Sequence, residues 1–236
     1  MGKIQVSERI ITNTYETLDE KINKKLSHRE SELYIKDETV YKILNKMYRR
    51  SREKFLYVLD ENEFENCINI KDLLYQGDKL IGCSTPFIKD FESLSEYLKN
   101  NNIDLKTKLE FMKRIRYVID SLLQDRLAYF DLHLDNIGIS KGEIIFSDLD
   151  GVEDNPTRRF IDGTYYNMYL CYLSILLDEF IYTKYDPDKW WGRDYYLNQI
   201  IPVDEVNLSN IKDFCNDITQ EKVDVLKENY LKLEKR

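Results

Sequence analysis

Two short stretches carry residue types that could do chemistry together. The first is Tyr129-Phe130-Asp131-Leu132-His133-Leu134-Asp135-Asn136. The second, Ser147-Asp148-Leu149-Asp150-Gly151, follows two short β-forming runs at 137–139 and 144–146. Phosphoryl transfer calls on such a set: one carboxylate orients the attacking hydroxyl, and an amide oxygen with a second carboxylate holds Mg²⁺ on the phosphates of a nucleotide. The first carboxylate and the amide must share one loop, and the second carboxylate must come from the hairpin that follows. Asp and Asn are also ordinary turn residues, and a lone D-x-x-x-x-N recurs by chance. The weight lies in the pairing of the two stretches at this separation.

The pair resembles the protein-kinase-like superfamily, which includes eukaryotic-type protein kinases and the aminoglycoside and choline phosphotransferases. The kinase pattern HRDLxxxN is matched by Asp131, Leu132 and Asn136, with Tyr129-Phe130 in place of His-Arg. The form DLHxxN, with His133 after Leu132, is similar to the aminoglycoside phosphotransferase branch. Asp148-Leu149-Asp150 matches the DFG or DxD metal element. The resemblance implies that Asp131 is the catalytic base, that Asn136 and Asp148 are Mg²⁺ ligands, and that Asp150 assists them.

The resemblance extends upstream. Val40-Tyr41-Lys42-Ile43 matches VAIK, which implies that Lys42 holds the α- and β-phosphates from the third strand. Its partner would be a glutamate on a helix over 46–60. Glu53 is the choice and Glu61 the alternative. Gly82-Cys83-Ser84-Thr85-Pro86-Phe87-Ile88 aligns with the fifth strand and hinge. Thr85 would be the gatekeeper, Pro86 would offer its C=O to the adenine amine, and Ile88 would offer N–H and C=O to the adenine edge. The likeness covers about residues 33–182.

The implied fold class is α+β, a two-lobed protein-kinase-like domain over 1–236, with an N-lobe over about 1–85, a hinge over about 85–91 and an α-helical C-lobe over about 92–236. The implied activity is transfer of the γ-phosphoryl group of ATP, with Mg²⁺, to a hydroxyl of a small molecule or a protein. A pseudokinase that senses nucleotide or acts as a scaffold is the alternative, and AMP transfer is a third reading. Three departures bear on the choice. No glycine occurs between Gly2 and Gly77, so no Gly-rich loop covers the phosphates; the corresponding turn is Ser27-His28-Arg29-Glu30-Ser31. Gly138 stands where the family places a leucine under the adenine. Only about fifteen residues separate Asp148 from the buried run that begins at Thr164, and no APE motif follows. A conventional peptide-docking groove is therefore not expected.

Elements that could position these residues are visible in the pattern. Residues 32–35 and 39–44 read as a hairpin, as do 72–75 and 79–83 around Gln76-Gly77-Asp78. Residues 45–60 read as an amphipathic helix with Met47, Phe55, Val58 and Leu59 inward, and 84–91 as an extended connector. A helix is expected over 94–98 and a long one over 105–127. The run 165–182 reads as a fully buried helix, the tail beyond 203 as polar and helical, and 16–25 as helix or loop. The 42% apolar content suffices for a core, and the net charge of −8 argues against nucleic acid or an anionic membrane as partner. Cys67, Cys83, Cys171 and Cys215 have no metal-binding spacing and read as reduced thiols of a cytoplasmic protein. The first ten residues carry no signal-peptide core, and Val6 breaks a myristoylation pattern.

Overall fold

Two hairpins and the helix that links them build the first half of the chain. The computed structural model describes residues 3–5, 31–178, 199–202 and 207–234. The chain divides into two units, Met1–Phe91 with Ile145–Asp154, and Glu92–Ile144 with Asn155–Arg236. The fold is α+β, with the main sheet in the first unit and most of the helix in the second.

In the first unit the strands are β1 (Lys3–Gln5), β2 (Ser31–Lys36), β3 (Thr39–Leu44), β4 (Asp72–Gln76) and β5 (Lys79–Pro86), in the order β1-β4-β5-β3-β2. All neighbouring pairs are antiparallel except β1 with β4. The β2–β3 turn is made by Asp37 and Glu38, both left-handed (φ 49° and 58°) as a two-residue hairpin turn demands. Gly77 (φ 61°) does the same between β4 and β5. The strand β5 runs on through Ser84 and Thr85 to Pro86, where an extended connector was expected. The ladder partners Tyr41, Val40 and Thr39 continue opposite these residues, so the backbone pairing goes on until proline removes the donor.

The helix α1 (Lys46–Glu61) crosses from β3 to β4 and buries Leu56 and Leu59. Met47, expected inward, is 78% exposed. The buried stripe begins only in the helix's second half. On one face of the sheet Tyr34, Ile43, Leu74 and Ile81 form a core cluster.

The second unit opens with β6 (Glu92–Ser93) and α2 (Leu94–Asn100), which is capped by Ser93. The helix α3 (Leu105–Gln124) is capped by Asp104, whose carboxylate accepts from the Thr107 N–H at 2.7 Å. It stops three residues short of the expected end. The Asp125 N–H closes on the Ser121 carbonyl, Arg126 turns left-handed (φ 59°), and Leu127 opens β7 (Leu127–Tyr129). A one-turn 3₁₀ helix (Leu134–Asn136) leads into β8 (Ile137–Ser140), which pairs antiparallel with β6. The strand β9 (Glu143–Phe146) follows a tight turn with Lys141 and Gly142 left-handed, and carries the chain into the first unit. There a second 3₁₀ turn (Leu149–Gly151) and β10 (Val152–Asp154) follow.

The helix α4 (Arg158–Leu177) returns to the second unit and begins well before residue 165. Residues 168–177 are buried throughout, as the apolar run suggests; residues 179–182 of the expected helix lie outside the described residues. So do the expected helix or loop at 16–25 and the turn residues Ser27, His28, Arg29 and Glu30. The tail contributes α5 (Leu208–Asn216) and α6 (Gln220–Glu234), both packed on α4. Asp178 closes α4 and pairs with buried Lys108 of α3 at 2.6 Å and with Lys227 of α6 at 2.9 Å. Burial pushes the Lys108 ammonium below the usual lysine range, and the bond to Asp178 opposes that shift. No helix among the described residues is long and apolar enough to cross a membrane.

Candidate active site

In the first unit, Lys42 and Asp148 form an ion pair although they stand 106 residues apart in sequence. Each is held by its own local structure. Lys42 lies on β3 between Leu33 of β2 and Cys83 of β5. At the next rung β3 and β5 approach so closely that a Cβ on Gly82 would fall on the Lys42 carbonyl, 2.9 Å from its carbon. Asp148 follows β9, whose last residue, Phe146, is buried. The Phe146 N–H donates to the Asn66 carbonyl, and the Ile68 N–H donates to the Phe146 carbonyl, both at 2.8 Å. Beyond this clamp Asp148 adopts a left-handed backbone (φ 56°, ψ 48°) and starts the 3₁₀ turn that packs against α1, with Leu149 and Val152 buried on either side. Aspartate tolerates this conformation better than most residues, and such backbone outliers gather at functional sites.

Glu53 and Glu61 are both exposed on α1. On the same helix Lys54 pairs with Asp154 at 3.3 Å. Pro86 ends β5 opposite Thr39, and Ile88 follows in a turn where its carbonyl accepts the Phe91 N–H at 3.2 Å. Thr85 is half-buried opposite Val40. The side chain of Asp150 lies outside the described set.

In the second unit the turn after β7 alternates. Leu132, Leu134 and Asn136 are buried, while Asp131 and Asp135 are exposed. The two leucines anchor the loop, and the exposed carboxylates of Asp131 and Asp135 flank them. The Asn136 amide Nδ2 donates to the Asp131 carbonyl at 3.0 Å and ties the two ends of the motif together. His133 brings Nε2 to 4.0 Å from the Asp131 carboxylate. Buried Ser95 of α2 donates to the Asp135 carboxylate and fixes the loop from below. Gly138 is buried in β8 opposite Ser93.

Three residues of α4 that the sequence reading did not single out hold the start of this turn. Asn167 donates from Nδ2 to the Phe130 carbonyl at 2.5 Å. Phe160 meets the Phe130 ring edge-to-face, with centroids 5.8 Å apart and an interplanar angle of 77°. Gly163 lies beneath the same ring, where a Cβ would come within 2.8 Å of it. The signal available in the sequence was the glycine itself, since a glycine inside a helical run usually has a packing reason. Only eight residues lie between Asp148 and the α4 cap Thr157, including β10, so the segment is even shorter than the sequence suggests.

Among the described residues no group of three or more His, Cys, Asp or Glu side chains converges as a metal cage. Asn136 lies in the second unit and Asp148 in the first. Compared with known proteins, the chain matches no protein-family model and no curated sequence.

Proposed function

We propose that this chain is an ATP- and Mg²⁺-dependent phosphotransferase of protein-kinase-like fold that moves the γ-phosphoryl group to an acceptor hydroxyl. The observation that carries the reading is the Lys42–Asp148 pair. A strand lysine and a carboxylate beyond a later hairpin come together in one unit, as a phosphate-binding lysine and a metal-binding aspartate would. The strand order supports it too: a helix crosses from the lysine strand to β4, and β4 returns through β5 into the connection toward Phe91.

In this reading Lys42 neutralises phosphate charge once nucleotide displaces it from Asp148. Asp131, exposed and braced by Asn136, accepts the proton of the acceptor hydroxyl and orients its oxygen. His133 beside it biases the carboxylate's orientation. Asp148 would be a ligand for Mg²⁺, which when bound supplies charge neutralisation on the phosphate oxygens, and the resemblance gives Asn136 a metal-binding role as well. Catalysis of this kind is positioning plus electrostatics, with little covalent work for the protein.

A nucleotide-sensing scaffold is the second reading. It is favoured by the same ion pair, which satisfies both charges without nucleotide, and by the lack of glycine between Gly2 and Gly77. Mass spectrometry of the protein and of hydroxyl-bearing acceptors after incubation with Mg·ATP separates the readings. Phosphoryl transfer adds about 80 Da, AMP transfer adds about 329 Da, and a scaffold adds nothing. Absence of any +80 Da species, with ATP binding intact, refutes the enzyme reading.

A further inference from the structure

Asp148 lies in a segment, residues 147–154, that is fastened within the first unit at both ends. At its start the Phe146 backbone is clamped by Asn66 and Ile68. At its end Asp154, the last residue of β10 and of this unit, pairs with Lys54 of α1 at 3.3 Å. Between the two fastenings the 3₁₀ turn and β10 lie against α1. Leu149 and Val152 are buried on the segment, and Leu56 and Leu59 on the helix. Apolar contact is non-directional, so by itself it lets the helix slide or turn over the segment. An ion pair has a preferred distance and picks out one register. Asp148 holds a left-handed backbone inside this span, so the register of the segment decides where its carboxylate points.

We propose that Lys54 is a positioning residue for metal binding: its pair with Asp154 holds α1 and the 147–154 segment in one register and so aims the Asp148 carboxylate. The inference rests on the phosphotransferase reading and adds to it a residue that the motifs leave unassigned. Those motifs look to this helix for a glutamate that reaches the strand lysine, with Glu53 as the choice. The next position on α1 supplies a cation, and it acts on the carboxylate side of the Lys42–Asp148 pair. Lys54 works through Asp154 and the backbone that leads back to Asp148, without touching nucleotide or metal. The consequence is selective. A misdirected Asp148 loses hold of Mg²⁺, while Lys42, seated between β2 and β5, keeps its place for the phosphates. Breaking the pair therefore shrinks the gain in ATP affinity that Mg²⁺ brings and does not weaken ATP binding without Mg²⁺. General loosening of the fold would weaken both.

The test uses two readouts on the full chain. Hydrogen exchange followed by mass spectrometry, on protein without added ligand, reads the 147–154 segment. Calorimetric titration of ATP with and without Mg²⁺ reads the metal's contribution. Lys54 is 63% exposed and Asp154 22%, so water partly screens the pair and the effect is that of a surface ion pair. Lys54→Glu and Asp154→Lys should each speed exchange in the segment and shrink the Mg²⁺-dependent gain about three- to fivefold. The double variant, with the pair reversed, should recover wild-type values on both readouts, and Lys54→Arg should keep them. Circular dichroism verifies each fold, and Lys54→Met stands in for a reversal that disturbs folding. Either readout unchanged in both single variants overturns the proposal. So does a loss that the reversed pair fails to recover, or an equal loss with and without Mg²⁺. A wild type that gains nothing from Mg²⁺ removes the phosphotransferase reading, and the exchange arm alone then decides the Lys54–Asp154 tie: recovery by the reversed pair keeps it, and unchanged exchange strikes it.

Discussion

Replacing Gly82 with alanine tests whether the sheet really sets the position of Lys42. The added methyl would overlap the Lys42 carbonyl and lie 3.1 Å from the Cα of Ile43. The obstructing atoms are backbone, so no rotamer change relieves the clash. Either β3 or β5 must move, at the rungs where Ile43 faces Gly82 and Lys42 faces Cys83. Overpacking of this kind costs about 1–3 kcal/mol, and loosening one or two ladder bonds adds about 0.5–1.5 kcal/mol each. The expected loss is therefore about 2–5 kcal/mol. At roughly 2–4 °C per kcal/mol for a chain of this size, the melting temperature should fall by about 5–15 °C. Thermal unfolding followed by circular dichroism measures it. Because the displaced carbonyl belongs to Lys42, ATP affinity measured well below the melting point should weaken as well. A melting temperature within a degree of wild type would refute the claimed approach of the two strands.

Other outcomes follow from the same geometry. Asp131→Ala should lower turnover by about 10²–10⁴-fold while ATP affinity stays within about twofold, because this carboxylate acts on the acceptor; kinetics and ATP titration on one preparation check both halves. Burial pushes the Cys67 and Cys215 thiols up to about 12, and Cys171 is raised further. Iodoacetamide at pH 8 should thus leave these three unmodified in the native protein and label them quickly in urea. The same raised values stabilise the fold below the unfolded thiol value near 9, and that contribution is lost as pH climbs from there toward 12. Lys108 works in the opposite sense. Its depressed folded value means the unfolded chain binds more protons below 10.5, so this group makes stability rise with pH toward 10.5. Urea unfolding of Lys108→Met against wild type from pH 8 to 10.5 should show the wild type gaining on the variant as pH increases.

Local pattern made much of the framework legible. Both hairpins were readable because alternation and turn residues coincide at 31–44 and 72–83, and the buried half of α4 because ten consecutive residues have no exposed face. The misjudged boundaries were decided by non-local pairing. Leu127 fits the helical period of α3 but is taken into β7, and Ser84 to Pro86 extend β5 because β3 supplies partners. In the candidate site, Asp131, Asn136, Lys42 and Asp148 could be picked out by type and spacing. Their supports could not, since the Asn66–Phe146 clamp, the Ser95–Asp135 bond and the α4 face beneath Phe130 join residues 30 or more positions apart.

The most direct test of the central claim is calorimetric titration of ATP into wild type and Asp148→Asn, each with and without Mg²⁺. The account predicts that Mg²⁺ tightens ATP binding to wild type at least tenfold and that Asp148→Asn abolishes that difference. Binding of ATP to wild type that is indifferent to Mg²⁺, or no binding at all, would contradict the assignment of Lys42 and Asp148 as a nucleotide- and metal-binding pair.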